Sequence, residues 1–322
     1  MKIHSICIAK NEGDIIEQTL MKAVDWSDYI YVVDNNSSDD TWEIVQALSK
    51  DYPKIIPYKR DARAYFDSMR GEVFYGFRDR SQPGDWWCKL DADEFYIDNP
   101  RSFLSNVPEQ YQAVWAASFQ YYFTDRDLEK FEQDPAAFAD DVPVEQKCRF
   151  YANDWSENRF FRYDDKMVWN VQDQVRSWPY FGAIYPKRIR LKHFQYRSPQ
   201  QMQQRIMTRL EAAASDQAPA VFHHEAELVS DGHTALGDRV DIQQTVSQFV
   251  SRSASVDEIW KKRIVDASEL TFDRFDNQYV MREDLMPPVP KSYFPPLENR
   301  LRYMKKYVNR TTLNQLFDWL KK

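Results

Sequence analysis

The sequence predicts an α/β protein: a Rossmann-like, mainly parallel sheet flanked by helices, with a helical C-terminal extension. Three observations predict it. Strand-like and helix-like patterns alternate over the first 120 residues, which implies right-handed βαβ units. Three of the strands end in clusters of acidic or amide residues, as expected where ligands bind beyond the carboxyl ends of a parallel sheet. Near the C-terminus, Leu301, Met304 and Val308, then Leu313, Leu316, Phe317 and Leu320, recur at helical spacing.

Taken in order, Ile3 to Ala9 is an apolar strand, and Asp14 to Val24 is a helix with Ile15, Ile16, Leu20 and Val24 at helical spacing. Tyr29 to Asp34 is the second strand. Ser37, Ser38 and Asp39 supply caps for a helix over Thr41 to Leu48, and Ile55 to Tyr58 is a third strand. Phe66 to Arg78 reads as helical, and Trp86 to Leu90 as a short buried strand that ends at Asp91. The acidic, polar stretch 125–147, with Pro135 and Pro143, reads as a loop or lid between two core strands. A domain over 1–198 is therefore expected, followed by a mainly helical region over 199–322, with the Pro-rich boundary Pro287 to Pro296 before its tail.

Composition removes several classes of function. No stretch approaches the roughly 18 to 20 consecutive apolar residues of a membrane-spanning helix. The short apolar run before Lys10 lacks the features of a signal peptide, so a cytoplasmic location is expected. Cys7, Cys88 and Cys148 are scattered and read as buried thiols. A net charge of −7 argues against nucleic acid as a partner. The tail 297–322 is the exception, with seven Lys/Arg against Glu298 and Asp318. Two amphipathic helices are expected there. They would either make peripheral contact with the inner face of an anionic membrane or pack on the main domain.

The three strand ends are Lys10-Asn11-Glu12, Asp34-Asn35-Asn36 and Asp91-Ala92-Asp93-Glu94. Six or more oxygen-bearing side chains on one rim repel each other unless something positive offsets them, and a divalent cation, Mg²⁺ or Mn²⁺, is the natural answer. Asp91 and Asp93, one residue apart after an apolar strand, are the candidate carboxylates. Alone, Asp-x-Asp carries little information; its register with two other polar strand ends gives it weight.

Cys7 to Leu20 (CIAKNEGDIIEQTL), Val32 to Thr41 (VVDNNSSDDT) and Asp85 to Phe95 (DWWCKLDADEF) resemble, in order and spacing, the signature segments of family 2 glycosyltransferases, which have the GT-A fold. The resemblance covers roughly 1–198 and implies a nucleotide-diphosphate sugar lying across the strand ends, a glycan or glycolipid acceptor, and a role in surface polysaccharide or glycolipid synthesis. It implies that Asp34 bonds the nucleotide base and that Asn11, Glu12 and Asn36 line the donor pocket. Asp93 would be the direct metal ligand, and Asp91 would reach the ribose or a metal-bound water. It also implies a donor-binding arginine on the helix before the Asp-x-Asp strand, where Arg70 sits with Arg78 as the alternative. His193, in RLKHFQYRS, would be a third metal ligand beside Asp93 and Asp91.

The resemblance places a catalytic base after an arginine-rich strand and a Trp. Arg159 to Arg162 (RFFR) and Trp169 to Gln174 (WNVQDQ) then make Asp173 the candidate, with Asp164 and Asp165 as alternatives, although the family's His-Glu pair is absent. Inversion at an anomeric carbon needs one carboxylate opposite the leaving diphosphate. Trp86, Trp87, Trp155, Trp169 and Trp178 read chiefly as core, with stacking on sugar rings as the other use. Two other functions fit the sequence: a silent nucleotide-sugar-binding module and a metal-dependent nucleotide-sugar phosphohydrolase.

Overall fold

β1 (Ile3–Ala9) is buried along its whole length because it has a parallel strand on each side. These are β2 (Tyr29–Asp34) and β4 (Trp86–Asp91), and β3 (Ile55–Arg60) continues the parallel block beyond β2. A strand covered on both faces must be apolar on both, which explains why these segments read as runs and not as alternations. In β4, Trp86 faces one core with Ile3, Leu20 and Val32, while its neighbour Trp87 faces a second core with Ile6, Tyr31 and Phe74. The computed structural model describes residues 1–169, 171, 179, 181–214, 256–261, 263–272, 279, 281, 283–284 and 286–293.

Helices connect the parallel strands. α1 (Ile16–Val24) and α2 (Thr41–Asp51) pack apolar faces on the first core. α3 (Met69–Phe77) packs Met69, Val73 and Phe74 on the second. Gly71 permits a close approach there, since a Cβ at that position would lie 2.4 Å from Val171 Cγ1 and 2.9 Å from Trp169 Cδ1. α1 begins at Ile16, two residues later than the spacing suggests, and the Asp14 carboxylate is instead held by Arg197 at 2.7 and 2.8 Å.

The other half of the sheet is mixed. β5 (Glu94–Tyr96) and α4 (Pro100–Ser105) follow β4, and then come the long strands β6 (Tyr111–Tyr122), β7 (Phe150–Arg162) and β8 (Phe181–His193). β7 is antiparallel to both β4 and β6, whereas β8 runs parallel to β6. With β9 (Thr271–Phe272) on β7 and β10 (Ser292–Tyr293) on β8, the main order is β10-β8-β6-β7-β4-β1-β2-β3. The parallel, helix-flanked sheet predicted from the first 120 residues is present, and the antiparallel strands join it from the far side.

The stretch 125–147 does lie between two core strands, β6 and β7, and it is helical. α5 (Asp125–Gln133) starts with a capping box in which Asp127 N–H donates to Thr124 Oγ1 and Thr124 N–H donates to Asp127 Oδ2. α6 (Val144–Lys147) closes the insertion. Phe123 and Phe138 pack with Met202 and Ile206 of α7 (Pro199–Ala214) and Trp260 of α8 (Val256–Lys261). Cys7, Cys88 and Cys148 are buried free thiols, as the sequence suggests. No helix among the described residues is long and apolar enough to cross a membrane. The tail 297–322, where membrane contact is expected, lies outside the described residues.

Candidate active site

The strand ends of the parallel block open into a cavity of about 490 Å³. Lys10, Asn11 and Glu12 after β1, Asn35 after β2, Asp91 at the end of β4, and Ala92 and Asp93 after it line the cavity, with Arg63, Tyr65 and Arg70 on one wall. His193 and the α7 residues Gln201, Arg205, Thr208 and Arg209 also line it. Two asparagines make the turns possible. Asn11 and Asn36 take left-handed φ values of 55° and 57°, which asparagine tolerates better than most residues. Asn11 also ties three segments together: its N–H donates to Ser37 Oγ, its Oδ1 accepts from Ser38 N–H, and its Nδ2 donates to Thr208 Oγ1.

Asp91 is gripped from two sides. Arg70 of α3 donates to Oδ1, and Arg159 of β7 donates to Oδ2 at 2.9 Å. Arg159 is itself buried and also holds Glu94 with two bonds and Glu157 with one. Burial alone would raise the Asp91 pKa, but the guanidiniums of Arg159 and Arg70 outweigh it and hold it well below the usual carboxylate range. Glu94 has no such surplus of positive charge, and burial pushes it up to about 7.

Asp93 and His193 form the second pair. β5 begins directly after Asp93 and pairs antiparallel with β8, which sets Glu94 opposite His193. That register brings His193 Nε2 to 3.3 Å from Asp93 Oδ1 across a separation of 100 positions. Burial would lower the His193 pKa, but Asp93, then Glu94 and Asp91, outweigh it and raise it to about 9. On the other rim, Arg197 is fully buried and donates to Glu12 Oε2 at 2.7 Å as well as to Asp14. Burial nevertheless pushes Glu12 up to about 7.

A carboxylate oxygen and an imidazole nitrogen converging on an acidic cavity suit a divalent cation that takes its remaining ligands from phosphate and water. Among the described residues no group of three or more His, Cys, Asp or Glu side chains is placed to hold a metal. Of the three expected ligands, Asp93 and His193 stand together, while both oxygens of Asp91 are engaged by Arg70 and Arg159.

Of the remaining sequence candidates, Asn11, Glu12 and Arg70 do line the cavity. Arg70 has its Nη groups on Tyr65, Asp67 and Asp91, so it braces the wall and Asp91. Asp34 is placed differently from expectation. It is fully buried and outside the lining, accepting from Ser37 N–H and from Arg60 Nε at 2.8 Å, so it shapes the turn after β2. Asn36 is exposed and also outside the lining; Asn35 lines it instead and donates to the carbonyls of Asp61 and Arg63, holding the wall loop at 2.8 Å on each. Arg78 stacks on Phe74, and Asp164 and Asp165 are exposed in a turn; none of the three lines the cavity. Asp173 lies outside the described residues.

Arg159, Glu94, Arg197 and Asn35 stand inside segments that the sequence marks out, but it gives none of them a role of its own. A signal was there for Glu94: it opens the short strand EFY directly after two other acidic positions, and a carboxylate drawn into a sheet needs a buried partner.

Among solved structures, the mannosyltransferase PcManGT from Pyrobaculum calidifontis in complex with GDP-Man and Mn²⁺ is similar at 14% identity, over 79% of this chain and 76% of that one, with a TM-score of 0.36. S. aureus TarS 1–349 is similar at 10% identity, over 79% of this chain and 73% of that one, with a TM-score of 0.32. No curated protein matches the sequence. The family model "Glycosyl transferase family 2" matches residues 5–183, which span β1 to the start of β8 and so include Asp91, Asp93, Arg70 and Arg159. With more than half of its length matched, the chain belongs to glycosyl transferase family 2.

Proposed function

We propose that the protein moves a sugar from a nucleotide-diphosphate sugar to a hydroxyl of a glycan or glycolipid acceptor, with inversion and with a divalent cation, in surface polysaccharide or glycolipid synthesis. The observation that carries this is the mixed charge of one cavity at the strand ends. Its floor carries Asp91 and Asp93, and its walls carry Lys10, Arg205 and Arg209. A nucleoside diphosphate needs both: cationic side chains near the phosphates, and carboxylates for the metal that shields them.

In this reading Asp93 and His193 hold the cation, Mn²⁺ or Mg²⁺. When bound, the cation neutralises charge on the leaving diphosphate. Lys10, Arg205 and Arg209 bind phosphate oxygens, and Asn11, Asn35 and Glu12 line the space for the nucleoside. Asp91, fixed by Arg70 and Arg159, presents its carboxylate edge to the donor sugar or ribose. Asp173 takes the proton of the acceptor hydroxyl as the new bond forms on the face opposite the diphosphate.

A thermal-shift panel of UDP-, GDP-, dTDP- and CMP-sugars with Mn²⁺ tests the donor side, because a ligand that binds only the folded state raises the melting temperature. One nucleotide should stand out, and only with the metal. A flat panel would remove the donor-binding reading. Donor consumption that is independent of any acceptor would favour a phosphohydrolase.

A further inference from the structure

β7 carries an exposed tryptophan that the core does not explain. Trp155 is 50% exposed, whereas Trp86, Trp87 and Trp169 are buried. Its indole is nevertheless fixed: Nε1 donates to Glu157 Oε1 at 3.0 Å. The same Glu157 oxygen accepts from Arg159 Nη2 at 2.7 Å, and that Nη2 also donates to Asp91. Trp155 thus stands three hydrogen bonds from the carboxylate that lines the cavity.

The backbone shows why the ring points outward. β7 is irregular against β6 in two places. Val114 pairs with Phe160 and Trp115 with Asn158, which leaves Arg159 as an extra residue. Ser118 pairs with Trp155 and Gln120 with Ala152, which sets Asn153 and Asp154 against Phe119 alone. Bulges of this kind re-aim side chains and are frequent beside active sites. The segment Trp155 to Asn158 lies between the two. One bulge turns Arg159 toward Asp91 and Glu94, and the other leaves Asp154 and Trp155 at the surface.

We infer that Trp155 and Glu157 form the subsite for the acceptor, and that its occupant is a pyranose ring. An indole face with no ring stacked on it among the described residues suits the C–H face of a sugar, and a carboxylate at its edge suits a ring hydroxyl. Glu157 Oε1 is used twice within the protein, while Oε2 has no protein hydrogen bond among the described residues. A hydroxyl donating to Oε2 would place the ring over Trp155, beside Asp91. This assignment rests on the sugar-transfer reading, and it names the acceptor's chemical class.

The test uses the full chain labelled with 5-fluorotryptophan, with the Trp155 resonance assigned by its loss in Trp155→Phe. The probes are the methyl glycosides of glucose, galactose, mannose and N-acetylglucosamine, titrated to about 50 mM in the presence of the nucleotide sugar that raises the melting temperature most. At least one glycoside should shift the Trp155 resonance, and Glu157→Gln should weaken that glycoside roughly tenfold, the cost of losing a hydrogen bond to a charged group. No shift with any of the four would overturn the subsite. A Trp155 shift produced by the nucleotide sugar alone would overturn it as well, because the indole would then be a donor contact. If no nucleotide sugar changes the melting temperature, the transferase reading fails on its own, and the glycoside titration without nucleotide still decides the subsite.

Discussion

Arg159 Nη2 lies 2.9 Å from Asp91 Oδ2, although the two residues come from antiparallel neighbours, β7 and β4, that are 68 positions apart. The contact makes Asp91 part of the sheet's internal support as well as of the cavity. Arg159 also pairs with Glu94 and Glu157, so removing it strands the fully buried Glu94 beside two partly exposed carboxylates, Asp91 and Glu157.

Arg159→Met should therefore be severely destabilising, by about 3–5 kcal/mol, the usual cost of stranding the partner of a buried ion pair. Adding Glu94→Gln should recover part of that loss, because the stranded charge is then smaller. Urea denaturation of the single and double variants checks this. Additive losses would show that Arg159 and Glu94 are not coupled.

A second prediction concerns pH. His4 is buried on β1, stacked on Tyr29 and Trp87, with Nδ1 at 3.1 Å from the Tyr31 hydroxyl. Burial lowers its pKa from 6.5 to about 4, so the folded state keeps it neutral where the unfolded chain would protonate it. Its contribution is complete above pH 6.5 and is lost as pH falls toward 4, a swing on the order of 3 kcal/mol at 1.4 kcal/mol per pH unit. Glu12 and Glu94, raised to about 7, act in the opposite sense, being more easily accommodated at low pH. The comparison of wild type with His4→Phe isolates the histidine: the two stability curves should converge or cross as pH falls from 6.5 to 4. Parallel curves would refute the assignment.

Much of this was legible in the sequence where a single segment carried the signal. β1 and β2 match the apolar runs to the residue, and Asn11, Glu12, Asp91 and Asp93 line the cavity because each lies at, or within three residues of, the end of such a run. Partnerships were not legible. Nothing in LDADEF says that Asp91 meets two arginines, because Arg159 arrives through a bulge in a strand that runs the other way. The burial of Asp34 is not legible for a related reason. Its neighbours fit a base-binding motif, but the turn after β2 folds Ser37 and Arg60 onto its carboxylate and buries it. His193 could be matched to Asp93 from the family resemblance, yet only the β5–β8 register supplies the physical cause.

The proposed base gives a third prediction. Asp173→Asn should abolish transfer and leave the donor-induced rise in melting temperature nearly unchanged, since a base acts on the acceptor and not on the diphosphate. Kinetics and thermal shift on the same preparation separate the two. Full activity would exclude Asp173; Asp164 and Asp165, the alternatives in the sequence, do not line the cavity.

The fourth prediction separates the two aspartates of the Asp-x-Asp pair. Both line the cavity, but their surroundings differ: Asp91 faces two guanidiniums, and Asp93 faces an imidazole at 3.3 Å with Arg197 more distant at 3.9 Å. Asp91→Asn removes the ion pair that joins Arg70 of α3 to Arg159 of β7, so its first effect should be a lower melting temperature of the free protein. Asp93→Asn removes the carboxylate that a cation would use, and the effect should appear in Mn²⁺ binding measured with the nucleoside diphosphate present. A loss of one charged ligand should weaken that binding by tenfold or more, with only a small change in the free protein's melting temperature. His193→Ala should act in the same direction as Asp93→Asn, and the double variant should cost little beyond either single one, because both act on the same ion. Calorimetric titration of Mn²⁺ into each variant reads this without any need for turnover. If Asp91→Asn weakens the metal as much as Asp93→Asn does, both aspartates serve the ion, and the grip of Arg70 and Arg159 on Asp91 must open when the donor binds.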